Sequence, residues 1–207
     1  MNIRSPLIFF IIFISCAEGK KQVLFPVVKT PIILAAKIYI LPLGNIPKAT
    51  IFEIQNKLRA AAPNVVLLPS EKMPAEAFYK PRNRFRADKI IFLLSKRAKT
   101  AEVYIGITNS DISATSIKKG VKFDDYGIMG LSYQPGKGSV VSNFRLEDKA
   151  MFYKVVYHEL GHSQGLEHCL DTKCFMQDAD SQDKTRLELG FCISCKKHLI
   201  ARGFFKI

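Results

Sequence analysis

The stretch HELGHSQGLEH, at residues 158–168, holds three of the chain's four histidines together with a glutamate and a glycine. His158 and His162 are four residues apart, and in a helix this spacing brings both imidazoles to one face, where they can bind one metal ion at about 2.0 Å. Glu159 adjoins the first histidine and is placed to act as a general base. H-E-x-x-H alone occurs in unrelated proteins, but the extended pattern with His168 is far more specific and predicts a catalytic zinc site.

His168 can reach this ion only if the chain reverses after the helix. In a continuous helix, His168 would lie about 15 Å along the axis from His158. Gly165 stands three residues after His162, and glycine accepts the positive φ that commonly ends a helix and turns the chain back. We therefore predict a helix that ends at Gly165 and a zinc site with three histidine ligands.

Four cysteines lie in the last quarter of the chain, as a C-x4-C pair followed by a C-x2-C pair: Cys169, Cys174, Cys192 and Cys195. In an exported chain this even number is also compatible with two disulfides, in any of three pairings. Two residues between cysteines form a tight turn that aims both sulfur atoms at one ion about 2.3 Å away. The spacing therefore favours a structural zinc site with four thiolate ligands.

The residues before the histidine motif alternate between apolar strands and amphipathic helices, which is typical of an α+β fold. The predicted elements are strands from Lys37, Asn64 and Ala101 and helices over residues 49–63 and 84–98. A hairpin follows, in which GIMGLSY and SVVSNFR are joined by the turn residues of QPGKG. A last helix begins near Glu147 and Asp148, whose charges favour a helix start, and it carries His158 and His162.

The composition fits one domain of ordinary size, because 207 residues with 48% hydrophobic residues can bury a core. The formal net charge of +13 favours anionic surroundings. The basic residues are scattered, and no basic run is interleaved with aromatic residues. We therefore expect a solvated basic surface and no nucleic-acid partner.

The first residues are typical of a targeting segment. Arg4 precedes an apolar run over residues 7–14, which is too short to span a bilayer of about 30 Å but fits a signal peptide. Ser15 directly before Cys16 resembles the lipobox of bacterial lipoproteins; an ordinary secretory signal or an uncleaved anchor is the alternative. We predict a signal peptide at 1–15, a tether at 16–34, and an exported lipoprotein that Cys16 anchors to the membrane of a bacterial envelope.

Taken together, the metal-binding patterns resemble those of the archaemetzincins, metzincin-like zinc metallopeptidases with an added four-cysteine zinc site. The resemblance rests on HELGHSQGLEHC, LDTKCFM and CISC, and it extends more diffusely to YKPRNRFRADKII, YIGITNSDI and GSVVSNFRL. It covers most of the chain after about residue 35. The resemblance implies an α+β fold with a zincin or metzincin-like mixed sheet, an active-site helix and a small zinc-stabilised C-terminal lobe.

The resemblance also implies two subdomains, at residues 35–165 and 166–207. Met176 would be the Met-turn residue, an apolar floor under the histidines, which agrees with the use of methionine to fill gaps in a core. His168 would bind the catalytic zinc while its neighbour Cys169 binds the structural one. Two Zn²⁺ ions per chain are therefore expected.

The predicted function is hydrolysis of peptide bonds in a peptide or protein substrate, by a zinc-activated water with Glu159 as general base. The resemblance implies that the strand containing SVVSNF holds extended substrate along the rim of the cleft. A binding module built on the cysteines would need neither Glu159 nor the histidine triad. A catalytically silent, zinc-scaffolded binding protein of the same fold is the alternative. We expect a monomer.

Overall fold

A computed structural model describes residues 37–118, 121–179 and 182–204. The predicted signal peptide, Cys16 and the predicted tether lie outside the described residues. Within the described ranges, no helix is long and apolar enough to cross a membrane. The helices and strands of these ranges are, in order, β1 (Lys37–Pro42), α1 (Lys48–Ala61), β2 (Val65–Leu67), β3 (Phe78–Tyr79), β4 (Arg84–Arg86), α2 (Ala87–Arg97), β5 (Glu102–Thr108), β6 (Ile112–Lys118), β7 (Val121–Ile128), β8 (Gly130–Ser132), β9 (Gly138–Ser142), α3 (Phe152–Ser163) and α4 (Ile193–Ala201).

The central sheet has five strands in the order β2-β1-β5-β9-β8. β1 is parallel to β2 and β5, β9 is parallel to β5, and β8 runs antiparallel to β9 at the edge. Helices cover both faces of this sheet, so its parallel strands are nearly continuous apolar runs. Ile40 and Ile105 pack with α1 and α3 on one face, and Leu41 and Val140 pack with α2 on the other. The predicted α+β fold class is confirmed.

A second sheet, with the order β3-β4-β6-β7, was not predicted from the sequence. The helix predicted over residues 84–98 begins three residues late, because Arg84–Arg86 form β4. Arg84 is buried in this sheet, and its guanidinium forms ion pairs with Asp111 at 3.1 Å and Asp125 at 3.5 Å. These partners are distant in sequence, and they stabilise an extended conformation that local propensity does not indicate.

α3 carries the HELGH motif, and a short 3-10 turn, Lys149–Met151, precedes it. The Asp148 carboxylate accepts a hydrogen bond from the backbone N–H of Ala150 and caps this 3-10 turn, whereas α3 begins only at Phe152, later than predicted and without an acidic residue in its first turn. The apolar face of α3 packs in the main core through Phe152, Val155, Val156 and Leu160. The core thereby fixes the orientation of the motif relative to the sheet.

The residues after α3 contribute to the same hydrophobic core as the central sheet. Their buried apolar side chains in this core are Leu166, Phe175, Met176, Leu199 and Phe204. The division into subdomains at 35–165 and 166–207 stays a prediction. The shared core holds the C-terminal residues against the helix that carries the first two histidines.

Candidate active site

The three histidines of the motif converge. His158 and His162 lie near the C-terminal end of α3, and their Nε2 atoms are 3.0 Å apart. The ring centroid of His168 lies 5.4 Å from that of His158 and 4.9 Å from that of His162. One ring nitrogen from each histidine lies within 4.8 Å of the other two. We call these three residues the histidine cluster.

Gly165 turns the chain back toward this cluster. α3 ends two residues before Gly165, which has a φ of +88° in the left-handed region that favours glycine. Its backbone N–H donates to the carbonyl of His162 at 2.8 Å, and that of Leu166 donates to the carbonyl of Gly161 at 3.1 Å. These bonds satisfy the last turn of the helix and bring His168 alongside it.

The two helical histidines are oriented through their second ring nitrogens. The Nδ1–H of His158 donates to the carbonyl of Phe175 at 2.6 Å, and that of His162 donates to the carbonyl of Leu166 at 2.8 Å. A carbonyl oxygen can only accept, so the proton is on Nδ1 in both rings. The Nε2 lone pairs are therefore available at the centre of the cluster.

His168 has a different kind of partner. Its Nδ1 faces the carboxylate of Asp178 at 3.6 Å, a separation that is longer than a hydrogen bond. No sequence motif signals these three partners, because two are main-chain carbonyls and the third is an acidic residue ten positions downstream. Only the fold brings them to the rings.

Burial keeps the two helical histidines neutral. Burial and the neighbouring His162 lower the pKa of His158 to about 3. Burial also lowers the pKa of His162, although its contact with the Leu166 carbonyl acts in the opposite direction. Neutral imidazole is the form that binds a metal ion, so both rings are in the ligating state near neutral pH.

Glu159 follows His158 in the sequence, and its carboxyl group is buried against β8. Burial raises the pKa of Glu159 to about 8, and a hydrogen bond with the Ser132 side chain acts in the opposite direction. A Cβ on Gly130 would approach Oε1 of Glu159 to 2.4 Å, so this glycine of β8 leaves the space that the carboxylate occupies. Oε2 has no hydrogen-bond partner among the described residues.

The residues of the cluster fit a catalytic zinc ion. Three neutral imidazole nitrogens are a ligand set that zinc accepts with its fourth position open, whereas calcium and magnesium prefer oxygen ligands. The unpartnered Oε2 of buried Glu159 needs a polar partner, and a water at such a centre would provide one. No feature of these residues disagrees with zinc.

Met176 packs against the turn of α3 between the two histidines. It is fully buried, and a Cβ on Gly161 would lie 2.4 Å from its Sδ. The carbonyl of Met176 accepts a hydrogen bond from the backbone N–H of Cys169 at 2.7 Å. Met176 is therefore packed against the motif helix and bonded to the residue that follows His168.

The four C-terminal cysteines form a second group, the cysteine cluster, with sulfur atoms within 4.8 Å of one another. All four are free thiols, so none of the three disulfide pairings is present among the described residues. The sulfur of Cys174 accepts hydrogen bonds from the backbone N–H groups of Met176 at 3.4 Å and Cys192 at 3.3 Å. Four converging sulfur atoms with such N–H bonds are suited to a tetrahedral zinc ion.

The strand expected at the rim of the cleft does not lie at an edge. β9, which contains SVVS, pairs with β5 on one side and β8 on the other, and all of its residues are buried. That prediction is wrong, because the main-chain groups of β9 are already paired within the sheet. The edge strand next to β9 is β8. Its Ser132 hydroxyl donates to the main-chain carbonyl of Glu159 at 2.7 Å.

The fourth histidine, His198, belongs to neither cluster. It lies on α4, and its Nε2 donates to the carbonyl of Gln164 at 3.0 Å. Gln164 follows the last residue of α3. His198 therefore links α4 to the end of the motif helix.

Comparisons with known proteins agree with this geometry. The profile of peptidase family M54 matches residues 56–201. The chain is 32% identical to an archaemetzincin of Haloquadratum walsbyi, over 77% of this chain and 97% of the relative. It is 29% identical to an archaemetzincin of Natronomonas pharaonis, over 78% of this chain and 98% of the relative.

Solved structures give the same result for the fold. The crystal structure of archaemetzincin from Archaeoglobus fulgidus matches with a TM-score of 0.61 and 25% identity, over 78% of this chain and 99% of that chain. The archaemetzincin structure from Methanopyrus kandleri matches with a TM-score of 0.64 and 24% identity, over 81% of this chain and 96% of that chain.

The prediction of an exported lipoprotein in the membrane of a bacterial envelope is wrong. The relatives that match over nearly their full length are archaemetzincins of archaea, not envelope lipoproteins of bacteria. The prediction relied on a short apolar run and on the Ser15-Cys16 pair. Such short patterns of common residue types arise in many contexts and are weak evidence beside a match over most of the chain.

Proposed function

Because the chain belongs to peptidase family M54, the archaemetzincins, and is a zinc metallopeptidase, we propose that Glu159 is the general base of peptide-bond hydrolysis. The observation that carries this proposal is the buried carboxyl group of Glu159, the residue next to His158, which has an oxygen without a partner among the described residues. A family of peptidases implies a peptide or protein as substrate.

His158, His162 and His168 would hold the catalytic zinc ion through the nitrogens that converge in the cluster. When bound there, zinc supplies a Lewis acid that acidifies water and polarises a carbonyl group. The main-chain carbonyls of Phe175 and Leu166 keep the two helical rings in the tautomer that this role requires.

Glu159 accepts the proton of the attacking water and returns it to the leaving amine. Its buried position suits both steps, since a carboxylate shielded from bulk water is a stronger base than an exposed one. The small residue Gly130 and the hydroxyl of Ser132 fix the position of Glu159 from the side of β8.

The outer side of β8 provides a place for extended substrate. Among the described strands, β8 pairs only with β9, so its second main-chain edge has no strand beside it. An extended peptide can pair with such an edge through backbone hydrogen bonds. Gly130 lies against Glu159, which would bring a scissile bond held on β8 close to the general base.

We further propose that the cysteine cluster binds a second, structural zinc ion, so that each chain holds two. The support for this is the convergence of four free thiols around one point. The two sites adjoin in sequence, because His168 and Cys169 are consecutive.

The test is Glu159→Gln, assayed on a peptide library with zinc content measured in parallel. We expect the rate to fall by about 10² to 10⁴, the usual cost of losing a general base, while zinc content is unchanged. Glu53→Gln, on the exposed side of α1, is the matched control and should retain full activity.

Two outcomes would contradict the proposal. Equal rates for Glu159→Gln and the parent would remove Glu159 from the mechanism. A fully zinc-loaded parent that cleaves no member of the library would favour the catalytically silent binding protein of the same fold.

A further inference from the structure

Exposed aliphatic side chains are concentrated in one part of the described chain. Four of the nine large hydrophobic residues that are exposed lie between residues 170 and 193: Leu170, Leu187, Leu189 and Ile193. We call these four the aliphatic surface. The other five are aromatic residues spread over α1, α2, β3 and two loops. Single exposed apolar residues need no explanation, whereas several in one region are a candidate binding site.

Three members of the aliphatic surface are close in space because each adjoins the cysteine cluster. Leu170 follows Cys169 and Ile193 follows Cys192, and the sulfur atoms of these two cysteines are 3.7 Å apart. The backbone N–H of Leu189 donates to the carbonyl of Lys173, next to Cys174, at 2.8 Å. The side chains therefore project from one small, tightly connected region.

The exposure of the leucines does not result from a loose segment. Leu187 and Leu189 flank Glu188, whose side chain is buried. Lys154, a buried residue of α3, donates from Nζ to the carbonyls of Thr185 and Glu188, both at 2.6 Å. The motif helix thus fixes the main chain that presents the leucines. A surface that is already ordered loses little conformational entropy when it binds.

The position and the charges of this surface indicate its occupant. Leu170 is two residues beyond His168, so the surface is continuous in sequence with the histidine cluster. Ile193 shares a face of α4 with exposed Lys196 and Lys197, three and four residues later. Exposed Lys173 lies beside Leu189. These three lysines outnumber exposed Asp171, which follows Leu170, so an occupant with aliphatic and acidic side chains complements both features.

We propose that the aliphatic surface is an exosite that binds an extended, aliphatic and acidic segment of the protein substrate while another segment is cut at the histidine cluster. The proposal rests on the proposed peptidase function and names a class of substrate for it. Leucine-like side chains of the segment cover the aliphatic surface, and its carboxylates pair with the lysines. Unfolded acidic chains present such segments, whereas folded proteins bury their leucines.

The test compares fluorogenic peptides that share one cleavable core. The short peptide holds the core alone, and two long peptides carry a tail of alternating leucine and aspartate on either the N-terminal or the C-terminal side. For the parent we expect kcat/KM to be higher by about tenfold or more for one long peptide, since burying a single leucine side chain changes affinity by about that factor.

Two double variants are then compared by the ratio of kcat/KM for the long and the short peptide. In Leu189→Ser with Ile193→Ser the ratio should fall to near one. In the matched control, Phe52→Ser with Phe92→Ser, two exposed apolar residues are lost from α1 and α2, and the ratio should stay as in the parent. A ratio near one in the parent would overturn the proposal. A ratio as high as the parent's in the double variant Leu189→Ser with Ile193→Ser would also overturn it.

A binding measurement separates this proposal from the peptidase function. Fluorescence anisotropy measures the binding of the labelled tail alone, without the cleavable core. Tail binding that Leu189→Ser with Ile193→Ser abolishes supports the exosite even if neither peptide is cleaved, in which case only the peptidase function fails. Absence of tail binding overturns the exosite. Light scattering and sedimentation with anionic phospholipid vesicles would then identify a second copy of the chain or a lipid surface as the occupant.

Discussion

The three histidines of the cluster differ in the chemical group that faces their second ring nitrogen. His158 and His162 use main-chain carbonyls, which no side-chain substitution removes. His168 uses the carboxylate of Asp178 instead, at 3.6 Å. His168 is therefore the histidine of the cluster whose orientation and basicity a single substitution can change.

We predict that Asp178→Asn lowers the zinc affinity of the histidine cluster by about tenfold or more, the usual cost of losing a carboxylate partner of a ligand. Competition with a chelator measures the affinity, and the cysteine cluster should keep its metal. Asp171→Asn, an exposed substitution just beyond Cys169, is the control and should not change the affinity of the histidine cluster. Unchanged affinity in Asp178→Asn would show that this carboxylate does not support His168.

The spacing of residues 158–168 was sufficient to predict which side chains meet in the histidine cluster, because a helix and one glycine turn are local structures. The partners of the rings could not be predicted in the same way. Phe175 and Asp178 lie at the cluster because the segment around Met176 packs against Gly161. This packing depends on the whole core.

Among the elements, α3 holds more than the catalytic motif. One turn before His158, buried Lys154 donates to the carbonyls of Thr185 and Glu188 and so ties the helix to the segment that leads to Cys192. Burial raises the pKa of Glu188 to about 7, to which Asp183 adds, while Lys154 acts in the opposite direction. The carboxyl group of Glu188 is therefore held in an environment that disfavours its charge.

This environment makes the stability of the segment dependent on pH. The pKa of Glu188 in the folded chain, about 7, lies above its ordinary value of 4.5, so the folded state binds the proton more tightly than the unfolded state does. The stability gained from the protonated group is complete below 4.5 and is lost as the pH rises through about 7.

We predict that Glu188→Gln raises the free energy of unfolding relative to the parent by more at about pH 8 than at about pH 5, because glutamine never ionises. Chemical denaturation at the two pH values measures this difference, and the histidine and cysteine clusters are the same in both proteins. The control is Glu76→Gln, at an exposed position, which should change the free energy of unfolding by the same amount at both pH values. A Glu188→Gln difference that does not vary with pH would contradict the burial of this charge.

The elements that the sequence predicted best are those with a strong apolar period. β1, α1 and β5 are buried as their patterns indicate. The pair β6 and β7 was missed, because residues such as Ser113, Thr115, Asp124 and Asp125 interrupt any apolar alternation. β4 was included in a helix because its extended form depends on ion pairs with residues more than 20 positions away.

At the scale of the whole molecule, the cysteine cluster, the helix that carries the first two histidines and the central sheet share one hydrophobic core. Cys174 and Cys195 belong to the same buried set as Val156 and Leu160 of the motif helix. Loss of the cysteine cluster should therefore weaken the packing around the histidines as well as the C-terminal residues. The predicted monomeric state is a separate matter, which light scattering can test.

We predict that Cys174→Ser lowers the zinc content from two ions per chain to one or fewer and lowers the melting temperature strongly. A structural zinc site contributes a binding energy on the order of 10 kcal/mol to folding. Elemental analysis and thermal denaturation measure the two effects. Ser194→Ala, within the C-x2-C turn, is the control and should keep both zinc ions. A Cys174→Ser protein with unchanged zinc and melting temperature would show that the thiols hold no metal.

The consecutive placement of His168 and Cys169 also sets an order of events during synthesis. The ribosome adds Cys195 27 residues after His168, so a growing chain carries all three histidines well before the cysteine cluster can close. Until then, Cys169 has only its main-chain bond to Met176, and the group of four thiols beside the third histidine is incomplete. We expect nascent and prematurely terminated chains to lack a closed cysteine cluster and, with it, the support that this cluster gives to the histidine cluster.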